Sequence, residues 1–222
     1  VGSFMLLLDS HEVVPDGVID DYDNTNIGSP MPKFTFGWTN TFRYKNFDLS
    51  VFINGSYGNK VYNYLSMKLT HMNSPWTNQL NAVNGRAQLV PINPNKVYED
   101  GTMWYNDVSN VMVANPGASI PRATINDPND NDRISDRYIE DGSYIRLKNI
   151  SLGYTFPKKT IDKLGLSNLR IYANIQNLLT ITGYDGYDPE IGASTSSVNV
   201  YGLDNGRYPS PTVYSFGLNV SF

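Results

Sequence analysis

Apolar and polar residues alternate with a period of two through five stretches of this chain. In 34–44, Phe34, Phe36, Trp38, Phe42 and Tyr44 share one face, and Thr35, Gly37, Thr39, Thr41 and Arg43 take the other. In 47–57, Phe47, Leu49, Val51 and Ile53 oppose Asp48, Ser50, Asn54 and Ser56. In 168–178, Leu169, Ile171, Ala173 and Ile175 oppose Arg170, Tyr172, Asn174 and Gln176. In 212–222, Tyr214, Phe216, Leu218, Val220 and Phe222 oppose Ser215, Gly217, Asn219 and Ser221. Side chains alternate sides along an extended backbone, so each stretch predicts a strand with one greasy face. The fifth, 144–156, alternates cleanly through Ile150, Leu152, Tyr154 and Phe156, but Arg146 and Lys148 fall in the same phase. Either a bulge shifts the register there, or that half stands above a hydrocarbon layer.

A soluble sandwich has the same alternation, so other features must separate the cases. Aromatics collect at strand ends: Phe42, Tyr44, Phe47, Tyr154, Phe156 and Phe222 fall at one level if the strands run up and down. Such a girdle is expected where a barrel meets the membrane surface. Connection lengths also alternate. Lys45 and Asn46 make a tight turn and 157–167 a short link, whereas 58–143 and 179–211 are long. Counting back from Phe222, both short links fall on one side and both long ones on the other, the pattern of periplasmic turns and outer loops. A structureless 58–143 loop suits a barrel rim better than a compact soluble domain. The fold class read from these signs is all-β, a transmembrane antiparallel up-and-down barrel in a bacterial outer membrane. Five strands cannot close such a barrel, because the smallest have about 8. The chain is therefore expected to belong to a larger polypeptide or to pair with another chain. Short helices are expected at 157–164, with Pro157 at its start and Gly165 as its stop, and at 61–70.

Composition narrows the partners. The 222 residues are 40% hydrophobic, 13% aromatic with Tyr 16, and only 17% charged. A net charge of −4 argues against a nucleic-acid partner, which needs a concentrated basic surface. Cys is 0, so neither a disulfide framework nor a Cys-ligated metal is available. The start, VGSFMLLLDSHEV, has no basic n-region, so an export signal would lie elsewhere.

Chemistry-bearing motifs are few. Asp16, Asp20 and Asp23, with Gly17 and Ile19, resemble the second half of an EF-hand-like loop, a pattern that gathers oxygens for a hard cation. Ca²⁺ at Asp16, Asp20 and Asp23 stands against a plain acidic turn, since Val14 offers no side-chain ligand. A second acidic run holds Asp127, Asp130, Asp132 and Asp136; it reads either as a cation site or as a solvated loop. Trp76, Trp104, Tyr184, Tyr187, Tyr201 and Tyr208 lie in the two long loops. Aromatic faces stack on sugar rings, so these are the ligand-binding candidates, against a role in packing loop on loop. His11 and His71 have no partner at zinc spacing. No nucleophile elbow, phosphate loop or dinucleotide fingerprint occurs, so no catalytic residue is assigned and an enzyme is not expected.

The stretch DGSYIRLKNISLGYTFPKKTIDKLGLSNLRIYANIQNLLTITGYDGYDPEIG, 141–192, resembles the carboxy-terminal region of the SusC/RagA family, TonB-linked outer-membrane importers of Bacteroidota. The tail YPSPTVYSFGLNVSF and the segment PKFTFGWTNTFRYKNFDLSVFINGSYGNKVYN are similar to that family too. The resemblance implies that these are the last five or so strands of a barrel of about 22, plugged by a domain absent here. It also implies a SusD-like surface lipoprotein as lid, drive from the TonB complex through the plug region, and an oligosaccharide or peptide as cargo. Tyr214, Phe216, Leu218, Val220 and Phe222 would form the terminal barrel-insertion signal. A passive porin or surface adhesin is the alternative.

Overall fold

In a computed structural model, the structure describes residues 6–7, 13–14, 23–127, 130–190 and 201–222. The chain divides into two compact units: Gly28–Tyr64 with Asp136–Phe222, and Val1–Ile27 with Leu65–Ser135.

The first unit is built on an antiparallel sheet of five long strands. They are β1 (Phe34–Tyr44), β2 (Phe47–Tyr57), β5 (Tyr144–Thr155), β6 (Asn168–Thr182) and β8 (Val213–Ser221). Their order across the sheet is β8-β6-β5-β2-β1. Lys45, at φ 53, and Asn46 close the β1–β2 hairpin. Between β5 and β6 the chain makes a short helix α2 (Lys158–Ile161) and a 3₁₀ turn, Asp162–Leu164, and Gly165 ends it at φ 71, where a side chain would be strained. Both links, with the end of β8, lie at one end of the sheet.

Register puts the greasy positions in rows. Tyr44 pairs with Phe47, Phe47 with Tyr154, Tyr154 with Ile171, and Ile171 with Leu218. One row higher run Phe42, Leu49, Leu152, Ala173 and Phe216. This face is at least partly accessible from edge to edge: Phe216 is 84% accessible, Phe36, Leu152 and Ile171 are exposed, and Leu49, Tyr154 and Ala173 on the inner strands are half-buried. Among the described residues it forms no packed core. Near the turn end the Phe47 and Tyr154 rings lie 4.6 Å apart and Tyr154 and Phe156 meet edge-on at 5.0 Å.

The opposite face is polar and carries cross-strand bridges. Arg170 on β6 reaches over Gly153 on β5 to Asp48 on β2, with Nη2 donating to Oδ2 at 2.6 Å. A Cβ at Gly153 would collide with that guanidinium and carboxylate, so the bridge in this position would have to shift. Tyr172 likewise folds across Gly217.

The out-of-phase half of β5 is explained by a bulge. On the β2 side Phe52 pairs with Asn149 but Ile53 pairs with Leu147, so Lys148 is the extra residue. The insertion turns Ile145 and Leu147 onto the greasy face and Arg146 onto the polar one. β6 makes the matching irregularity at Asn177 and Leu178, with Asn177 at φ 52, and runs on to Thr182. The sequence reading stops that strand at 178.

At the other end of the sheet, β3 (Lys60–Asn63), β4 (Ile139–Asp141) and β7 (Leu203–Asp204) form a small three-stranded sheet in the order β7-β3-β4. Val61 is buried there against Gly142. The segment 58–143 is thus not structureless, and where a helix is expected over 61–70 the chain first makes β3 and then α1 (Tyr64–Thr70).

The second unit has its own order. α1 buries Met67 and Thr70, and a ribbon pairs Leu89–Pro91 with Val111–Val113. Asn110 ties the ribbon to the 93–98 turn: Nδ2 donates to the Asn93 carbonyl and the Tyr98 hydroxyl, and Oδ1 accepts the Asn93 N–H at 2.7 Å. Lys96 donates to Asp107 at 2.5 Å and, with Ser109 and Tyr98, holds that carboxyl well below the usual range.

Candidate functional site

The bulge at Lys148 positions the most organised polar cluster of the first unit. Arg146 pairs with Thr180 across the β5–β6 ladder, and its Nε donates to the Thr180 hydroxyl at 2.9 Å. Its Nη1 donates to Glu190 Oε2 at 2.7 Å, and its Nη2 donates to Asp188. Lys148 Nζ donates to the same Glu190 oxygen at 2.6 Å. Arg146 is 3% exposed, so these partners are what make its burial tolerable. Asp188 also accepts the N–H groups of Glu190 and Ser210, each at 2.9 Å. Burial works against its charge, but Arg146 and those two amides hold the carboxyl below the ordinary range. Three separated pieces of chain, 146–148, 188–190 and 210, are fastened together on the polar side of the sheet.

A second brace lies beside it. The Tyr184 hydroxyl donates to Asp204 Oδ2 at 2.5 Å, and Asp204 Oδ1 accepts the Gly206 N–H. Burial, and then the facing Asp204 carboxylate, push the Tyr184 hydroxyl well above its ordinary range. Glu140 accepts from the Asn63 side chain at 2.8 Å and from the Asp185 N–H at 2.9 Å. Between the braces opens a polar cavity of ≈ 340 Å³ whose lining includes Lys148, Asp204, Arg207 and Tyr208. Arg207 has no hydrogen bond or ion pair among the described residues, whereas the carboxylates around it are occupied.

The loop aromatics separate into two kinds. Tyr184 is 6% exposed with its hydroxyl committed, so it serves as a brace with little free ring surface. Trp76, Tyr187, Tyr201 and Tyr208 present open faces, Trp76 at 94%. Trp104 meets Tyr105 edge-on at 5.7 Å. Only Tyr208 lines the cavity. Tyr214, Phe216, Leu218 and Val220 lie exposed along β8, and Phe222 follows it.

For a cation at the amino-terminal turn, Asp16 and Asp20 lie outside the described residues, and Asp23 lies within them. In the second unit, chain folding brings together groups that spacing keeps apart. His71 Nε2 lies 2.8 Å from Asp127 Oδ2, and Nδ1 lies 3.9 Å from Asp132 Oδ2. Asp127 is buried and held below the ordinary carboxylate range by Asn131 and His71 against the cost of burial. Asp130 turns away toward Arg133 at 3.7 Å. Sequence reasoning flagged the acidic run but missed His71, because 56 residues separate it from Asp127.

Comparison with known proteins bears on the whole chain. No family model matches it. TonB-dependent receptor P3 of Formosa agariphila is 35% identical over 212 residues, 93% of this chain and 18% of that receptor. Over nearly its whole length the chain is similar to TonB-dependent receptors, SusC among them. Receptor P26 of the same organism is 33% identical over 96% of the chain, and SusC of Bacteroides thetaiotaomicron 28% over 93%. The chain spans under a fifth of these relatives' lengths. Among solved structures, the RagAB peptide transporter matches 96% of the chain with a TM-score of 0.66 at 18% identity, and RagAB in its closed-closed state with 0.64 at 20%. At that identity the likeness speaks to fold: these antiparallel strands resemble the wall of such a receptor.

Proposed function

We propose that this chain forms the last five strands and the adjoining outer loops of a TonB-dependent outer-membrane nutrient importer with a barrel of about 22 strands. The observation that carries the reading is the five-stranded sheet with a continuous exposed greasy face, a polar bridged face, and unpaired outer edges on β1 and β8 among the described residues. Hydrocarbon tolerates an apolar surface but not an open strand edge. Further strands of a larger barrel would satisfy both edges, and a plug would fill the lumen that the polar face borders. The wall's share of transport is structural: it seals the barrel, carries the insertion signal at 214–222, and anchors loops over the pore.

The cargo is an oligosaccharide or a peptide taken up with a SusD-like lipoprotein lid. The exposed aromatics at Trp76, Tyr187, Tyr201 and Tyr208 suit sugar or side-chain stacking. A passive porin or adhesin barrel has the same wall without energy coupling. Reconstitution of the full-length protein with its lipoprotein and the TonB complex separates the two. Uptake of labelled oligosaccharide or peptide that stops when the proton-motive force is collapsed supports import; uptake that continues identifies a passive pore.

A further inference from the structure

We infer that His71 and Asp132 form a divalent transition-metal site in the second unit, with Asp127 as the group that orients the histidine. The site is independent of what the receptor carries. The His71 side chain is nine-tenths buried, at 10% exposure. Its Nε2 sits at hydrogen-bond distance, 2.8 Å, from Asp127 Oδ2, and Asp127 is an acceptor there, so Nε2 carries the proton. That tautomer leaves a lone pair on Nδ1. Nδ1 has no hydrogen-bond partner among the described residues and lies 3.9 Å from Asp132 Oδ2. The gap is too long for a hydrogen bond. It fits two ligands of one ion with bonds of about 2.0–2.2 Å, whose donor atoms stand roughly 3–4 Å apart.

The division of labour follows from how the carboxylates are used. Both oxygens of Asp127 are engaged: Oδ1 accepts from the Asn131 side-chain amide, and Oδ2 from the Asn131 N–H at 2.6 Å and from His71. It therefore acts as the buttress in a carboxylate–histidine–metal arrangement. Asp132 is 45% exposed and accepts no hydrogen bond among the described residues, so it can close on an ion, and water completes the coordination. The three residues converge to within 4.8 Å through one donor atom each. A nitrogen donor beside a carboxylate selects Zn²⁺ and its neighbours over Ca²⁺, which takes 6–8 oxygens. This chemistry also separates the site from any oxygen-only site at Asp16, Asp20 and Asp23.

The test uses full-length protein in detergent, freed of affinity tag and stripped with EDTA, titrated with ZnCl₂ by calorimetry in millimolar Ca²⁺. The expected result is one saturable Zn²⁺ site lost in His71→Ala and Asp132→Asn and weakened about 10–100-fold in Asp127→Asn. His71→Gln, which keeps a donor toward Asp127 but offers no imidazole nitrogen, must lose the site while the loop stays protected from protease. Absence of Zn²⁺ binding, or binding that survives His71→Gln, overturns the proposal. Loss in Asp127→Asn with full retention in Asp132→Asn overturns the assigned roles.

Discussion

Arg146 shows how much one side chain organises. It is buried on the polar face with two carboxylates from a distant segment, and removing it strands Asp188 with an uncompensated charge. Breaking such a pair costs about 3–5 kcal/mol. Arg146→Ala should therefore speed amide exchange across 184–190 and 203–211 by two orders of magnitude or more, with 34–57 unchanged, as read by exchange mass spectrometry on the full-length protein. Acid should act through Asp188. Its folded carboxyl lies below the ordinary value, so the stabilisation is complete above the unfolded value of about 3.9 and is lost as pH falls through the folded one. Protection of the Glu190 and Ser210 amides, corrected for intrinsic exchange, should stay level from pH 7 to about 4 and drop below it. The sequence made Arg146 conspicuous by its wrong phase, but not its partners: Asp188 and Glu190 lie 42 and 44 residues onward, beyond any periodic signal. The same distance hid the link of His71 to Asp127, although each residue stood out separately.

At the scale of elements, the strands were legible because both environments write a period of two into the chain. The bounds of β1 and β2 coincide with the alternating stretches, since a two-residue turn leaves no freedom. β6 runs past the sequence reading because adjacent Leu178 and Leu179 break the alternation, and only pairing with β5 reveals that Thr180 and Ile181 resume it. The choice between a bulge and a raised half-strand in β5 needed the neighbours' register. β3, β4 and β7 are two to four residues long and owe their pairing to partners up to 141 positions away, so no local pattern announces them. Face assignment at this scale can be tested by charge. Leu152→Arg and Ile171→Arg place a cation in hydrocarbon and should each cost about 2–4 kcal/mol, lowering the yield of heat-modifiable assembled barrel. Ser151→Arg, on the polar face beside them, should assemble normally. Equal failure of all three would show that neither face is lipid-exposed.

For the whole molecule, the decisive facts are negative space: a greasy face with nothing on it and two strand edges with no neighbour among the described residues. On the proposed reading, the rest of a barrel would flank β1 and β8 and a bilayer would cover the face. The polar face would then border the lumen, and the loops pinned by Arg146 and Asp204 would stand over it. This chain contains no cysteine, so once any cysteine elsewhere in the full-length protein is replaced, labels can be placed here at chosen positions for the most direct measurement. Single cysteines at Leu49, Leu152, Phe216 and Leu218, and at Ser50, Ser151, Ser215 and Asn219, would carry a spin label in the full-length protein reconstituted in lipid. Collision rates with oxygen, which partitions into hydrocarbon, and with a water-soluble nickel chelate then report each position's surroundings. The first set should favour oxygen and the second the chelate or neither, alternating residue by residue along β8. Chelate access equal at both sets, or shielding of the first set from both agents, would contradict a lipid-facing wall.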